Sequence, residues 1–422
     1  MIILKIQEIS KIIEGVINTN DDFEIENIKI NSKEIKKNDL FIAINSGYKY
    51  IDEAIDNGAI CIITEKDVDV DIATIKVIST TKALGQIAAY IRNQCNIPLI
   101  AITGSTGKTT TKELISLILG SKYNVLKSIK NQNNHIGVPL TLLKINKFYD
   151  VIITELGMNH LNEISYLSKI CQPDYAIITN IGSAHIGNLG NKKNILKAKL
   201  EILDGIKNGV LLVNEQDKYL KKIKYSKIIK VSKKSLKVKK IKYYQDRTEF
   251  DIQKIHFVIN IPGNHILEDV FLAIKIGFLF NVSLEEMSKS LLKFQNIDGR
   301  LNIIKNKYTI IDDSYNSSYE SLIGSLKLLI KEKEKKFIIL GDMLELGEFS
   351  KKYHKKVNKY LKKIKNKRTL LVGEHTKIIK GLHFNNINQI NNYLKKHLTD
   401  NSIIYIKGSR AMELDKIKTR FD

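Results

Sequence analysis

The residues best suited to chemistry form a glycine-containing loop about a quarter of the way along the chain. The segment Thr103-Gly-Ser-Thr-Gly-Lys-Thr-Thr110 follows an apolar strand at residues 99–103 and precedes a predicted helix at residues 111–119. Backbone N–H groups of such a loop, at the N-terminus of a helix, bind phosphate oxygens. Lys108 is expected to reach the β- and γ-phosphates of a nucleotide, and the Thr109 hydroxyl to bind Mg²⁺. The predicted nucleotide-binding residues of the loop are Gly104, Ser105, Thr106, Gly107, Lys108, Thr109 and Thr110.

A carboxylate and an imidazole follow other apolar strands of the same region. One strand ends at Glu155, the next ends at Asn180, and His185 lies in the loop after it. Ligands of a parallel sheet bind beyond the carboxyl ends of its strands, so these groups are expected near Thr109. Glu155 and His185 there would form a divalent-cation site. A lone histidine in a loop is more often a solvated surface residue, and its position after a strand is what favours the metal site.

Polar groups also follow two strands of the last third of the chain. Arg300, after Gly299 at the start of this region, could hold a phosphate with its planar guanidinium. The segment Asp312-Asp-Ser-Tyr-Asn316 could bind a ribose hydroxyl or a peptide, and Lys407-Gly-Ser-Arg410 could bind an anion. Each of these is, alone, more often a cap, a turn or a salt bridge. Together they predict a ligand cleft between two domains.

The elements that position these groups alternate between strands and helices, which predicts an α/β protein with mainly parallel sheets. Residues 1–80 form a small α/β unit. Residues 81–297 are predicted to form a central domain with a mostly parallel, P-loop-type sheet. Residues 298–422 repeat the alternation and are predicted to form a smaller doubly wound, Rossmann-like domain.

Composition bounds the class of protein. The 422 residues contain 43% hydrophobic and 27% charged residues, which is typical of a soluble multidomain protein. No signal peptide or membrane-spanning stretch is recognisable, and the scattered Cys61, Cys95 and Cys171 indicate free thiols in the cytoplasm. The net charge of +23 comes from lysines spread through the whole chain, so we expect no nucleic-acid partner. We expect a cytoplasmic monomer without membrane insertion.

Several longer segments resemble the Mur ligases, and within that family the members that add D-alanyl-D-alanine. They run in the family order and cover about three-quarters of the chain. The segments are Ala101–Lys112, Asn131–Leu143, Glu155–His160, Thr179–His185, Ala198–Glu201, Asp312–Asn316, Leu340–Gly347 and Lys407–Arg410. The resemblance implies a UDP-sugar-binding domain, a central ATPase domain and a C-terminal Rossmann-like domain. It also implies a cell-wall peptide ligase that uses ATP and Mg²⁺ to join D-alanyl-D-alanine to a UDP-N-acetylmuramoyl-tripeptide through an acyl phosphate.

The resemblance assigns roles to single residues. It implies that Glu155, His185 and Thr109 bind Mg²⁺ and that Lys199 is carbamylated, which converts a cation into a carboxylate-like ligand. From its spacing alone, Lys199 would be a solvated helix residue. The residues with an implied catalytic role are Lys108, Glu155, His185 and Lys199. The implied ATP contacts outside the loop are Asn180, Asp269, Arg300 and Asp313. The implied substrate-binding residues are Ser32, Asn133, Asn134, Tyr315 and Lys407.

The chain departs from the family pattern in four places. Asn31-Ser32-Lys33 replaces an Asp-Ser-Arg that holds the uridine group, and the following loop, at Ser46-Gly47-Tyr48, is shortened. The adenine motif His-Asn-x-x-Asn appears as His265-Ile-Leu-Glu-Asp269. Asn316-Ser-Ser-Tyr319 lacks the proline that usually follows the asparagine. The core ATP and metal residues are all present, so the sequence predicts an active enzyme with an altered nucleotide-sugar pocket.

Other functions remain open from the residues alone. A P-loop nucleic-acid motor fits the charge, although the strand that should end in an aspartate ends in Glu155 and the lysines do not cluster. The glycine loop also has Ile102 where a strict P-loop has its first glycine. A non-catalytic nucleotide-binding protein, another Mur ligase and a folylpolyglutamate synthase are further alternatives. A dehydrogenase is disfavoured, because neither sheet opens with Gly-x-Gly-x-x-Gly.

Overall fold

Three mainly parallel β-sheets follow one another along the chain. The structure, a computed structural model, describes residues 4–244, 246–263, 266–295 and 297–420. His265, which the family pattern places near the adenine, lies outside these residues. Each predicted domain contains one of the three sheets, and the division at residues 80 and 297 stays a prediction.

The N-terminal sheet has five short strands and one antiparallel edge. In spatial order its strands are Val16–Ile17, Ala73–Lys76, Ala59–Thr64, Asp39–Ile42 and Ile28–Lys29. Only the first pairs antiparallel with its neighbour. Helices Ile6–Ile12 and Ile51–Asp56 belong to this unit, and Leu4–Lys5 pairs with Glu24–Ile25. A longer helix, Thr80–Asn93, leads into the next unit, and its first turn is capped by Ser79, whose side chain accepts from the Lys82 N–H.

The central sheet has six parallel strands. In spatial order they are Ile228–Val231, Val210–Asn214, Tyr175–Ile178, Leu99–Thr103, Val151–Glu155 and Val125–Lys127. Every residue of Leu99–Thr103 is buried, as expected for a strand covered by helices on both faces. This strand is the point at which the strand order reverses, because the chain first builds the sheet on one side of it and then on the other. Ligands of open α/β sheets bind at such a point, and the glycine loop starts there.

Helices and one additional sheet surround the central sheet. The helices are Lys108–Leu119, Gly137–Leu142, Glu163–Cys171, Ile186–Leu189, Lys192–Leu200, Leu267–Leu279 and Leu284–Leu292. The first of them buries Thr111, Leu114, Ile115 and Ile118, which share one face at helical spacing. No helix within the described ranges is both long and apolar enough to cross a bilayer.

The third sheet also has six strands and an antiparallel edge. In spatial order they are Asn302–Lys305, Thr309–Asp312, Ile403–Lys407, Lys336–Leu340, Lys367–Val372 and Leu382–Phe384. Only the edge strand Asn302–Lys305 runs antiparallel to its neighbour. The flanking helices are Tyr319–Leu329, Ser350–Leu361 and Ile387–His397.

Most elements predicted from the sequence are present within a few residues. The strands at 99–103 and 403–407 have the predicted bounds, whereas the helix predicted from residue 111 begins at Lys108 because Gly107 acts as its N-cap. A three-stranded antiparallel sheet between residues 239 and 259 was not predicted. Its Phe250 and Phe257 rings stack at a centroid distance of 5.2 Å against the central core. The lysine-rich strand Lys239–Tyr243 is mostly exposed.

Candidate active site

The glycine loop, residues 104–107, has a backbone shape that only glycine tolerates at two positions. Gly104 and Gly107 have φ of +155° and +82°. A Cβ atom on Gly104 would lie 1.8 Å from Thr179 Oγ1, and one on Gly107 would lie 2.5 Å from both carboxylate oxygens of Asp269. The absent side chains keep the loop backbone accessible at the start of the helix Lys108–Leu119, which suits the close approach of phosphate oxygens.

Asn180 fixes the loop from the neighbouring strand. The Thr106 N–H donates to Asn180 Oδ1 at 3.1 Å, and Asn180 Nδ2 donates to Thr106 Oγ1 at 2.8 Å. The Ser105 N–H donates to the Asn180 carbonyl at 3.1 Å. The side chain of Asn180 therefore shapes the loop, and its contact with a nucleotide stays a prediction.

Lys108 lies across the loop, and its pKa depends on charged groups from several parts of the chain. Its Nζ donates to the Gly104 carbonyl at 2.8 Å. Desolvation lowers the pKa of Lys108, and the nearby Glu155 carboxylate opposes that shift. Arg300 and Glu345 also act on it, so charged groups from the middle and last parts of the chain converge on this ammonium.

Glu155 is buried beside Thr109, as the strand-end argument predicted. The Thr109 hydroxyl donates to Glu155 Oε2 at 3.1 Å. The other carboxylate oxygen, Oε1, lies 3.3 Å from Nζ of the buried Lys112. Lys112 also donates to the Ser128 carbonyl at 2.7 Å. Lys112 therefore connects Glu155 with the start of the loop that carries Asn133.

His185 has a left-handed backbone, with φ of +61°, and begins the helix Ile186–Leu189. Its Nδ1 lies 3.5 Å from Glu345 Oε2, which comes from the last part of the chain. Burial lowers the pKa of His185 to about 4, against the opposing pull of Glu345. The imidazole is therefore neutral at pH 7, the state in which histidine binds metals.

Lys199 is buried on the helix Lys192–Leu200, which contradicts the spacing argument for a solvated face and agrees with the resemblance. Desolvation, with a further contribution from Lys108, lowers its pKa well below the usual lysine value. No residue within the described ranges forms a hydrogen bond or ion pair with its amine. Burial therefore favours the neutral form of this amine, which is the nucleophilic form.

Two buried charges form the polar end of the third sheet. Asp313 Oδ2 lies 2.7 Å from Lys407 Nζ and also accepts from Ser325 Oγ at 2.7 Å. Lys407 Nζ donates to the Asn316 carbonyl at 3.0 Å. Because Lys407 is engaged with Asp313 and with this turn, it holds the segment in place and is less available to a substrate than the sequence suggested.

Arg300 lies over the ring of Tyr315, with 4.3 Å from its guanidinium carbon to the ring centroid. Its buried Nε has no hydrogen-bond partner within the described residues. The preceding Gly299 has φ of +70°, and a Cβ atom there would lie 2.9 Å from the Tyr315 N atom. This geometry suits an arginine that binds an anionic ligand, with the Tyr315 ring holding the guanidinium in position.

A cavity of about 1070 Å³ brings most of the predicted residues together. The predicted residues that line it are Ser105, Thr106, Gly107, Lys108, Thr109, Thr110, Asn133, Asn134, Glu155, Asn180, His185, Asp269, Arg300, Asp313, Tyr315 and Lys407. Gly104, Lys199 and Ser32 are not among the lining residues. Ser32 is buried in the N-terminal unit, where its hydroxyl donates to Glu53 at 2.5 Å. Asn134 Oδ1 accepts from the Gly137 N–H at 2.8 Å, so this side chain supports a helix as well as facing the cavity.

The donors near Lys108 suit Mg²⁺ bound mainly by phosphate and water. No group of three His, Cys, Asp or Glu side chains in the described part of the chain is arranged to hold a metal. Mg²⁺ commonly binds through one or two carboxylates together with nucleotide phosphates and waters. Thr109 and Glu155 beside the glycine loop fit that pattern, and His185 faces the same cavity.

Two acidic residues of the site, Glu320 and Glu345, and the buried Lys112 were not anticipated individually. Glu320 accepts hydrogen bonds from the N–H and hydroxyl of Ser183 at 2.8 and 2.6 Å and pairs with Lys192 at 2.7 Å. Glu345 lies within the segment 340–347 that resembles the family. Its position in that segment was the only indication from the sequence that it belongs to the site.

Comparison with known proteins identifies the family. Residues 102–277 match the Mur ligase middle domain, and residues 299–410 match the Mur ligase glutamate ligase domain. The UDP-N-acetylmuramoyl-tripeptide--D-alanyl-D-alanine ligase of Buchnera aphidicola subsp. Baizongia pistaciae is 34% identical, over 99% of this chain and 98% of its own.

Solved structures agree with the sequence comparison. A crystal structure of MurF from Acinetobacter baumannii matches with a TM-score of 0.90 and 29% identity, covering 98% of this chain and 97% of that one. MurF ligase from Thermotoga maritima, solved in complex with ADP, matches with a TM-score of 0.84 and 27% identity, covering 94% and 96%. Because these matches extend over both family domains and over nearly the full length of the relatives, the chain belongs to the Mur ligase family of ATP-dependent ligases.

Proposed function

We propose that the chain joins D-alanyl-D-alanine to UDP-N-acetylmuramoyl-tripeptide, with ATP converted to ADP and phosphate. The observation that carries the proposal is that one cavity is lined by Lys108 and Glu155 from the central part of the chain and by Arg300 and Glu345 from its last part. The curated relative named above has this activity in its name, and it aligns over nearly the full length of both chains. The product would be UDP-N-acetylmuramoyl-pentapeptide, a precursor of the cell wall.

In the first step, the terminal carboxylate of the tripeptide attacks the γ-phosphorus of ATP. The bond from that phosphorus to its bridging oxygen breaks, ADP leaves, and an acyl phosphate forms. The backbone N–H groups of the glycine loop bind the phosphates, and Lys108 neutralises the charge on the transferred group. Arg300 lines the same cavity, its Nε has no hydrogen-bond partner among the described residues, and it would stabilise the same charge.

Mg²⁺ would shield the negative charge of the triphosphate when it is bound. Thr109, Glu155 and His185 are the residues that would hold it, together with a modified Lys199. The neutral amine of Lys199 can take up carbon dioxide and release a proton, which gives a carbamate with two oxygen donors. Its depressed pKa favours that reaction, because a protonated amine is not nucleophilic, and no group in the described part of the chain occupies the amine.

In the second step, the amine of D-alanyl-D-alanine attacks the acyl carbon, phosphate leaves, and the amine loses a proton as the amide forms. Asn133, Asn134 and Tyr315 line the cavity and are the residues that would contact the peptide. Limited access of water to the cavity would protect the acyl phosphate from hydrolysis.

The direct test measures phosphate release after mixing ATP, Mg²⁺, UDP-N-acetylmuramoyl-tripeptide and D-alanyl-D-alanine, with each omitted in turn. We expect release only from the complete mixture, and a pentapeptide product by mass spectrometry. Phosphate release stimulated by DNA or RNA without the muramoyl tripeptide would refute the proposal in favour of a nucleic-acid motor.

We propose that the reaction takes place in the cytoplasm, where ATP is available. We also propose that the protein is a monomer, which light scattering tests.

A further inference from the structure

Two glycines from distant parts of the chain, Gly187 and Gly347, have their backbones in contact close to His185 and Glu345. A Cβ atom on Gly187 would lie 2.6 Å from the N atom of Gly347, and one on Gly347 would lie 2.8 Å from the Cα atom of Gly187. Gly347 also has φ of +49° and ψ of −133°, a conformation that strongly favours glycine. Neither position accepts a side chain while this contact exists.

The glycine contact brings His185 and Glu345 opposite each other. His185 precedes Gly187 by two residues, and Glu345 precedes Gly347 by two residues. Their side chains meet, with 3.5 Å between His185 Nδ1 and Glu345 Oε2. The other carboxylate oxygen of Glu345 accepts from Asn316 Nδ2 at 3.0 Å, which fixes the orientation of the carboxylate.

A second contact holds the other end of the His185 loop against the last part of the chain. Glu320 accepts from the Ser183 N–H at 2.8 Å and pairs with Lys192 at 2.7 Å. Acidic residues from beyond residue 298 therefore contact the chain both at His185 and two residues before it, at Ser183. The position of the imidazole depends on how this part of the chain is docked.

We infer that Glu345 is a positioning residue that the C-terminal part of the chain supplies to the Mg²⁺-nucleotide site by orienting the His185 ring. A metal-binding histidine usually donates its second ring N–H to a carboxylate or carbonyl, and loss of that partner typically costs about 10–100-fold in metal affinity or activity. With Nδ1 facing Glu345, Nε2 is the nitrogen left to bind a cation. The metal site is then complete only when the Gly187–Gly347 contact has formed. This inference rests on the proposed ligase function.

Direct binding of the acceptor amine is the other role open to Glu345, since its carboxylate faces the cavity. The geometry favours the positioning role, because Glu345 Oε1 accepts from Asn316 Nδ2 and Oε2 faces His185 Nδ1 at 3.5 Å, a distance that a small ring rotation closes to a hydrogen bond. An ammonium group would have to displace one of these partners.

The test measures Mn²⁺ binding, a stand-in for Mg²⁺, by electron paramagnetic resonance of the full chain with a non-hydrolysable ATP analogue. Glu345→Gln is expected to weaken Mn²⁺ binding by about 10–100-fold. Glu348→Gln is the matched control, because Glu348 is exposed in the same segment and has no partner among the described residues. Gly187→Ala should weaken Mn²⁺ binding similarly, since it separates His185 from Glu345 and changes neither side chain. Circular dichroism checks that each variant is folded.

Wild-type Mn²⁺ affinity in folded Glu345→Gln would overturn the inference. A raised KM for D-alanyl-D-alanine with unchanged Mn²⁺ affinity would also overturn it and would assign Glu345 to the acceptor amine. The proposed function fails separately, if the wild-type chain makes no pentapeptide. In that case Mn²⁺ binding to the three variants still decides the role of Glu345.

Discussion

Replacing Lys112 with methionine tests whether the buried ion pair between Lys112 and Glu155 stabilises the central domain. The side chains of Lys112 and Glu155 are 0% and 1% exposed, and their charged atoms lie 3.3 Å apart. Removal of one partner leaves a buried charge without compensation, which costs about 3–5 kcal/mol. In a domain of about 200 residues, each kcal/mol lowers Tm by about 2–4 °C, so Lys112→Met should lower Tm by about 6–20 °C.

Differential scanning calorimetry without nucleotide or Mg²⁺ measures this effect, because no ligand then masks it. Lys169→Met is the control, since Lys169 is exposed on a neighbouring helix and should change stability by no more than about 0.5 kcal/mol. The double variant Lys112→Met/Glu155→Gln should lose less stability than the sum of the two single variants, because no buried charge remains. A Tm of Lys112→Met within the range of the control, or additive losses in the double variant, would refute the reasoning.

Three further results are expected. Gly107→Ala should abolish ADP binding measured by calorimetry, because its Cβ would lie 2.5 Å from Asp269 and its φ is +82°, and retained affinity would contradict that role. Lys199→Ala should abolish pentapeptide formation without rescue by bicarbonate, and normal turnover would remove Lys199 from the site. Burial lowers the pKa of His185 from 6.5 to about 4 in the folded chain, so its stabilising contribution is complete above pH 6.5 and is lost as pH falls towards 4. Urea unfolding of His185→Gln should therefore depend less on pH across this window than unfolding of the wild type, and equal dependence would show that other groups dominate.

The sequence predicted the parts of the site that depend on local order along the chain. The glycine loop, Glu155 and Asn180 each follow a buried strand, and parallel strands bring their carboxyl ends to one edge of the sheet. The proximity of Thr109 and Glu155 therefore followed from the strand pattern alone. The same pattern predicted the strand Ile403–Lys407, which ends at Lys407, a predicted anion-binding residue.

Features that depend on packing between distant segments could not be predicted in this way. Spacing gave Lys199 no reason to be buried, because that depends on what covers its helix. The pairing of His185 with Glu345 requires the C-terminal part of the chain to dock at Gly187, which no local pattern encodes. The antiparallel sheet between residues 239 and 259 was missed because its lysine-rich first strand has little apolar alternation.

The division of the cavity between distant parts of the chain affects the protein as it is synthesised. The glycine loop is complete long before Arg300, Asp313 and Glu345 leave the ribosome. From residue 298 about 125 residues remain, and at about 5–20 residues per second their translation takes about 6–25 s. During that interval a nascent chain with a folded central domain holds a nucleotide loop but no opposing wall. Such a chain lacks Arg300, Asp313 and Glu345, so we expect it to transfer phosphate slowly until these residues are in place.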